Sequence, residues 1–175
     1  MRTEGHRENP SSEAFDDKQK VGASLPQEAL DPERGRHILE CRTFDEFDSF
    51  VSAREGLPEI RKLMIHRLSS DEYRSKGARL FMTVDGKGGF GLIGSELVSL
   101  FSYPDAHYGA SLMDRAIAEG ARCLSCFDVD DHLPRFYRCF GFREVARQSF
   151  NPQMAPSSWM YESLGQPDVV WMSLV

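Results

Sequence analysis

The sequence predicts an α/β (α+β) domain, and three observations carry that expectation. Along residues 37–175, short runs rich in Val, Ile, Leu and Phe are interleaved with stretches whose apolar residues recur at helical spacing. Three of the short runs follow one another between Arg79 and Phe101, with Asp85-Gly86 at the first junction, which implies an antiparallel meander. Two Ser/Thr-x-x-Glu-type signatures, at Thr43–Glu46 and at Ser69-Ser70-Asp71-Glu72, mark places where helical turns begin.

The elements follow in order. His37–Arg42 reads as a first strand, and Thr43-Phe44-Asp45-Glu46 as a capping box in which Thr43 accepts an orphan N–H and Glu46 reaches back to the cap. The helix it opens runs through Phe47, Phe50 and Val51 and stops at Gly56. Pro58 suits the start of a second helix, whose apolar positions Ile60, Leu63, Met64 and Leu68 keep a helical period. Ser69–Glu72 caps a short turn ending at Gly77. Strands are expected at Arg79–Val84, Gly89–Ile93 and Glu96–Phe101, with Lys87-Gly88 lengthening the first hairpin loop. From Gly109 to Gly120 the period becomes helical, with Leu112, Met113, Ala116 and Ile117 on one face. A strand at Arg122–Val129, an acidic loop and a short helix at Leu133–Phe140 follow. Strands at Phe142–Ser149 and Asp168–Leu174 close the chain, separated by a long loop carrying Pro152, Pro156, Trp159 and Tyr161. The expected order is β-α-α-β-β-β-α-β-α-β-β.

A length of 175 residues suits one domain, and 41% hydrophobic residues suffice for a core. Residues 1–35, rich in Glu, Arg, Ser, Asp, Lys and Pro, read as a disordered N-terminal arm, leaving residues 36–175 as the domain. A net charge of −6 and a pI near 5.4 argue against broad binding of nucleic acid. No run approaches the roughly 20 apolar residues of a membrane span, and the first residues lack the apolar core of a secretory signal. Four cysteines fit a reducing, cytoplasmic setting better than a disulfide scaffold. Cys123 and Cys126 have the spacing of a zinc knuckle. They fall in a strand, where positions three apart face opposite ways, and no second pair follows, so no metal is expected.

The element order and the segment Phe136-Tyr137-x3-Gly141-Phe142, where a short helix passes into a strand, resemble the GNAT (GCN5-related) acetyltransferase superfamily over residues 37–175. The tail around Phe150-Asn151, Ala155-Pro156, Trp159 and Pro167–Val170 is similar, more loosely, to GNAT-like proteins of phage and prophage gene sets. The resemblance implies a mixed, mostly antiparallel sheet flanked by helices, with acetyl-CoA as cosubstrate. It implies acetylation of an amine on a small molecule or protein. The family's pyrophosphate loop, Gln/Arg-x-x-Gly-x-Gly/Ala, falls on Pro104, His107 and Gly109, so only Gly109 matches. Binding of the phosphates would then rest on the helix N-terminus itself.

Acyl transfer to an amine needs a neutral nucleophile, donors for the developing oxyanion and an acid for the departing thiolate. By the resemblance, Tyr137 is the candidate acid, the alternative being plain packing beside Phe136 and Phe140. Asp128, ending the fifth strand, is the candidate base or water-orienting carboxylate. Glu96, His132 and His107 are its competitors. Leu100, Phe101 and Ser102 would meet the pantetheine arm, Tyr108, Gly109 and Ala110 the pyrophosphate, and Trp159 and Tyr161 the acceptor. A second class of function stays open: a GNAT-like fold that has lost catalysis and acts by binding a partner protein.

Overall fold

The computed structural model describes residues 36–175; the arm expected over residues 1–35 lies outside the described residues. The strands are β1 (Ile38–Cys41), β2 (Arg79–Thr83), β3 (Gly88–Ile93), β4 (Glu96–Ser102), β5 (Cys123–Phe127), β6 (Phe142–Gln148) and β7 (Val169–Leu174). The helices are α1 (Phe44–Glu55), α2 (Glu59–Leu63), α3 (Ser70–Ser75), α4 (Gly109–Ala118), α5 (His132–Arg138) and α6 (Tyr161–Leu164). All seven strands join in one sheet, ordered β1-β2-β3-β4-β5-β7-β6. The neighbours are antiparallel except β4 and β5, which run parallel. The expected mixed, mostly antiparallel sheet with flanking helices is what forms.

Each face of the sheet has its own core. On one side Leu112, Met113 and Ala116 of α4 pack with Phe81, Phe90, Leu124, Met172 and Tyr137. On the other, Phe50 of α1 and Tyr73 of α3 pack with Leu80, Val98 and Phe101. Each fully buried Phe there contributes roughly 1.5–3 kcal/mol of apolar burial. Phe50 reaches the sheet because β3 has glycine beneath it: a Cβ on Gly89 would stand 2.9 Å from the Phe50 ring and 2.6 Å from the Phe81 carbonyl oxygen. A smaller cluster of Leu63, Trp159 and Leu164 ties α2 to the segment between β6 and β7.

Local chemistry explains most element boundaries. Thr43 and Ser69 both form full capping boxes, with Glu46 and Glu72 as the reciprocal partners. At Ser69 the structure goes beyond the expected turn: α3 is a six-residue helix, held by Tyr73, which is completely buried. The second helix is shorter than its period suggested. It ends at Leu63, and Leu68 is outside it. The reason is tertiary. The His66 carbonyl accepts from Ser99 Oγ at 2.8 Å and the Leu68 carbonyl from Arg54 Nη1 at 2.9 Å, so these groups bond to the sheet and to α1 instead of extending a helix. The long loop before β7 contains one extra helical turn, α6. Cys126 is buried in the main core while Cys123 lies on the other side of β5, against Ser95, as strand alternation requires.

Candidate active site

The parallel pair β4 and β5 is joined only at its start, through Glu96↔Cys123 and Leu97↔Leu124. Beyond those residues the strands part. A bulge in β4 coincides with the parting: the pairing to β3 shifts between Gly89 and Gly91, so Ser99 and Leu100 are accommodated opposite one residue. Ser99 lies in the left-handed region at φ 54° and is buried. That conformation costs a non-glycine residue of order 1–2 kcal/mol. A chain of hydrogen bonds holds it there. Arg54 Nη1 can only donate, and does so to the Tyr73 hydroxyl at 2.7 Å. Tyr73 then donates to Ser99 Oγ at 2.5 Å, and Ser99 donates onward to the His66 carbonyl.

Where the strands part there is a cavity of about 1020 Å³. Its walls come from β4 (Leu97, Ser99, Leu100), β5 (Ser125 to Phe127), the α1–α3 region and the segment after β6. Tyr137 of α5 lines it. The ring is buried among Phe136 and Phe142 at centroid distances of 5.2 and 6.3 Å, yet its hydroxyl has no hydrogen-bond partner among the described residues. Burial holds the phenol neutral by pushing its pKa well above the ordinary 10, with Cys126 adding a smaller push. The Cys126 thiol beside it is likewise pushed up, by burial and then by Asp128, to about 12.

The expected cofactor residues divide. Leu100 lines the cavity, whereas Phe101 turns to the opposite face and packs on Phe50 at 5.4 Å. Ser102 Oγ accepts the Tyr108 N–H at 3.0 Å, closing the turn into α4. Gly109 and Ala110 form the first turn of α4, where N–H groups have no partner within the helix. His107 adopts φ 55°, the left-handed conformation for which glycine is the usual residue. The backbone shape that the missing glycine would allow is present although the residue is not. A Cβ at Gly109 would lie 3.3 Å from the Phe136 ring, so this glycine also lets α4 and α5 approach.

The other candidates are placed as follows. Trp159 lines the cavity, donates Nε1–H to the Gly165 carbonyl at 3.0 Å and packs against Phe127 and Phe150 at 5.1 Å each. Tyr161 sits behind Phe150 at 6.1 Å, half exposed and outside the cavity wall. Asp128 is not on that wall either. Its carboxylate accepts the Asp131 N–H at 2.9 Å and pairs with Arg147 at 2.8 Å, beside a separate shallow depression formed with residues 163–167. Glu96 marks the closed end of the β4–β5 pair, and His132 is exposed at the start of α5. The structure thus brings Tyr137, Leu100 and Trp159 to one cavity and leaves Asp128 and Tyr161 outside it.

Sequence reasoning missed the Arg54–Tyr73–Ser99 chain and the charged wall around Glu55. Arg54 did carry a signal, since it lies four residues after Phe50 on the buried face of α1. Tyr73 and Ser99 are 26 residues apart and share no local pattern.

A β4–β5 parting that opens beside a helix N-terminus, with β7 inserted between β5 and β6, defines the class: the chain has the fold of the GNAT acetyltransferases. No protein-family model matches the sequence, and no curated protein matches it. Solved structures do. A Bacillus subtilis acetyltransferase in complex with CoA superposes with a TM-score of 0.55 at 18% identity, covering 79% of this chain and 97% of that one. A GNAT family acetyltransferase from Elizabethkingia anophelis with acetyl-CoA bound gives 0.55 at 12% identity, over 79% and 96% of the two chains. The ribosomal-protein-S18-alanine N-acetyltransferase of Escherichia coli gives 0.51 at 13%, over 79% and 92%. At these identities the likeness is one of fold.

Proposed function

We propose that the protein is an acetyl-CoA-dependent N-acetyltransferase acting on an amine of a small molecule or protein. The observation that carries this reading is Tyr137: a buried ring on the wall of the cavity where β4 and β5 part, with a hydroxyl that has no hydrogen-bond partner among the described residues.

The residues present suit acetyl-CoA. The first turn of α4 supplies unpaired N–H groups and the positive end of a ten-residue helix for a pyrophosphate, with His107 already in the left-handed turn. The edge of β4 beyond Leu97 has no β5 partner, leaving backbone groups near Leu100 for an amide-bearing arm. When bound, acetyl-CoA supplies the activated acetyl group as a thioester. Tyr137 then holds a proton where a leaving sulfur would need one, and Trp159 and Phe150 exclude water from the acceptor side. Asp128, engaged by Arg147, has no part in this arrangement.

Calorimetric titration of the protein with acetyl-CoA tests the reading. Saturable binding at micromolar to sub-millimolar concentration is expected. Absence of binding at millimolar ligand transfers the case to the second class, a fold that acts by binding a partner protein.

A further inference from the structure

We infer that the acceptor is an aromatic amine, a nitrogen borne directly on a flat ring system and uncharged at neutral pH. The inference rests on the transferase reading above and specifies its acceptor.

Strand register sets the floor of the cavity. Ser125 of β5 lies opposite Trp171 of β7, and Phe127 lies opposite Val169, which faces Gln148 of β6 on its other side. Alternate residues of a strand share a face, so Ser125, Phe127, Val169 and Trp171 point the same way, and all four line the cavity. Phe127 and Trp171 are diagonal neighbours on adjacent strands, a spacing that large rings can bridge. The floor begins directly after Leu124, the last residue of β5 paired to β4, so it adjoins the parting that Tyr137 lines.

Trp159 and Phe150 continue this surface as a side wall. Trp159 packs on Phe127 and on Phe150 at 5.1 Å each. Trp159 is buried, whereas Trp171 remains 37% exposed and Met154, on the same wall, 82%. Large apolar side chains left open in a concavity mark a place where a ligand completes the packing. Rings gain more from another ring than from an aliphatic body of equal area.

The rest of the wall selects against charge, because its Glu, Lys and Arg side chains are already engaged. Arg67 donates to both oxygens of Glu55, at 3.2 and 2.8 Å, and Arg54 bonds the same carboxylate at 3.0 Å. Lys62 pairs with Glu59 at 2.9 Å, and Glu72 accepts the Ser69 N–H at 2.7 Å in its capping box. His66, the other basic residue of the wall, is exposed to solvent. An ammonium or a carboxylate entering here leaves water and finds its counter-charge occupied, which weakens binding. A neutral ligand loses nothing of that kind.

A flat, uncharged ring that still carries a nucleophilic nitrogen is an aromatic amine. Its lone pair is drawn into the ring, which keeps the nitrogen unprotonated at neutral pH and lets it attack without first giving up a proton. In the step, the acceptor nitrogen forms a bond to the acetyl carbon while the carbon–sulfur bond breaks. The sulfur takes the proton of Tyr137, the nitrogen loses a proton to water, and water reprotonates Tyr137. The products are an N-aryl acetamide and free CoA.

The test uses the full chain. Acetyl-CoA binding is measured first by calorimetry. Then p-anisidine, β-naphthylamine, benzylamine, cyclohexylamine and spermidine are each assayed at neutral pH for release of CoA thiol. Both aromatic amines are expected to turn over, β-naphthylamine, with its second ring, at the lower KM. Benzylamine keeps a ring but carries its nitrogen as an ammonium, and its kcat/KM is expected to be at least about tenfold lower. Trp171→Ala is expected to raise KM for β-naphthylamine about tenfold, through loss of one ring pair and its burial, with acetyl-CoA affinity unchanged. Trp171→Phe, which disturbs β7 less, is expected to recover most of that loss. Equal or better turnover of benzylamine, cyclohexylamine or spermidine, no turnover of either aromatic amine, or an unchanged KM in a folded Trp171→Ala overturns the inference while acetyl-CoA binding leaves the transferase reading intact. Failure to bind acetyl-CoA overturns both.

Discussion

Removing the Tyr137 hydroxyl separates chemistry from packing more cleanly than any other single change. Tyr137→Phe keeps the ring against Phe136 and Phe142 and deletes one oxygen that has no hydrogen-bond partner among the described residues. A satisfied tyrosine would lose about 1 kcal/mol of stability on this change. Here no bond to protein is lost, so the melting midpoint is expected to move by less than the roughly 3–4 °C that about 1 kcal/mol represents in a domain of this size. Turnover behaves differently. Loss of a general acid costs about 10²–10⁴-fold in rate, with acetyl-CoA affinity little changed. The phenol stays protonated beyond its ordinary value of 10, so it imposes no falling limb on kcat below that pH. The assays are CoA thiol release, calorimetric titration with acetyl-CoA and a melt. Full turnover in the variant refutes the acid assignment. A melt several degrees earlier refutes the premise that the hydroxyl is unpaired.

Three other outcomes are expected. Tyr73→Phe and Ser99→Ala each interrupt the chain from Arg54 to the His66 carbonyl, and each is expected to cost about 1–3 kcal/mol in denaturant unfolding. The double variant should fall short of their sum by more than about 0.5 kcal/mol, whereas strict additivity would show that the bonds do not act together. His107→Gly places at φ 55° the residue that suits it, so stability should rise by about 1 kcal/mol, read as a higher melting midpoint. Alkaline stability should fall as the thiols ionise in the unfolded chain before the folded one. Burial raises Cys126 from 9.0 to about 12, so its contribution is complete below pH 9 and is lost between about pH 9 and 12. Cys126→Ala is expected to flatten that decline in pH-dependent unfolding, and an unchanged slope would show that the thiol is not the cause.

Much of the fold is legible because its signals are local. The two capping boxes, the Asp85-Gly86 turn and the period of α4 need only neighbouring residues, and all appear where the pattern puts them. Helix α2 illustrates the opposite case. Its period through Leu68 is real, but hydrogen bonds from Ser99 and Arg54, far away in the chain, claim the carbonyls a longer helix would use. The site divides in the same way. Tyr137 is found through a short motif, and the structure places it on the cavity wall. Asp128 occupies a plausible strand end, yet Arg147 and the Asp131 N–H take its oxygens. Nothing in the local sequence announces Arg147 as that partner, nor Arg67 and Lys62 as companions of Glu55.

The insertion of β7 between β5 and β6 has a consequence for how the chain comes into being. β5 pairs with β7 from Phe127↔Val169 to Cys123↔Ser173, and β6 meets the same strand from Gln148↔Val169 to Phe142↔Leu174. Of the seven strands, the one that fills this gap is the last to leave the ribosome. Until it does, the edge of β5 away from β4 is unpaired and β6 has no partner in the sheet. Chain growth alone therefore cannot complete this half of the domain strand by strand, as it can the meander of β2 to β4. A nascent chain halted before Val169 leaves the backbone edge of Cys123–Phe127 open to whatever protease or chaperone is at hand, and the last six-residue strand closes it in a single step.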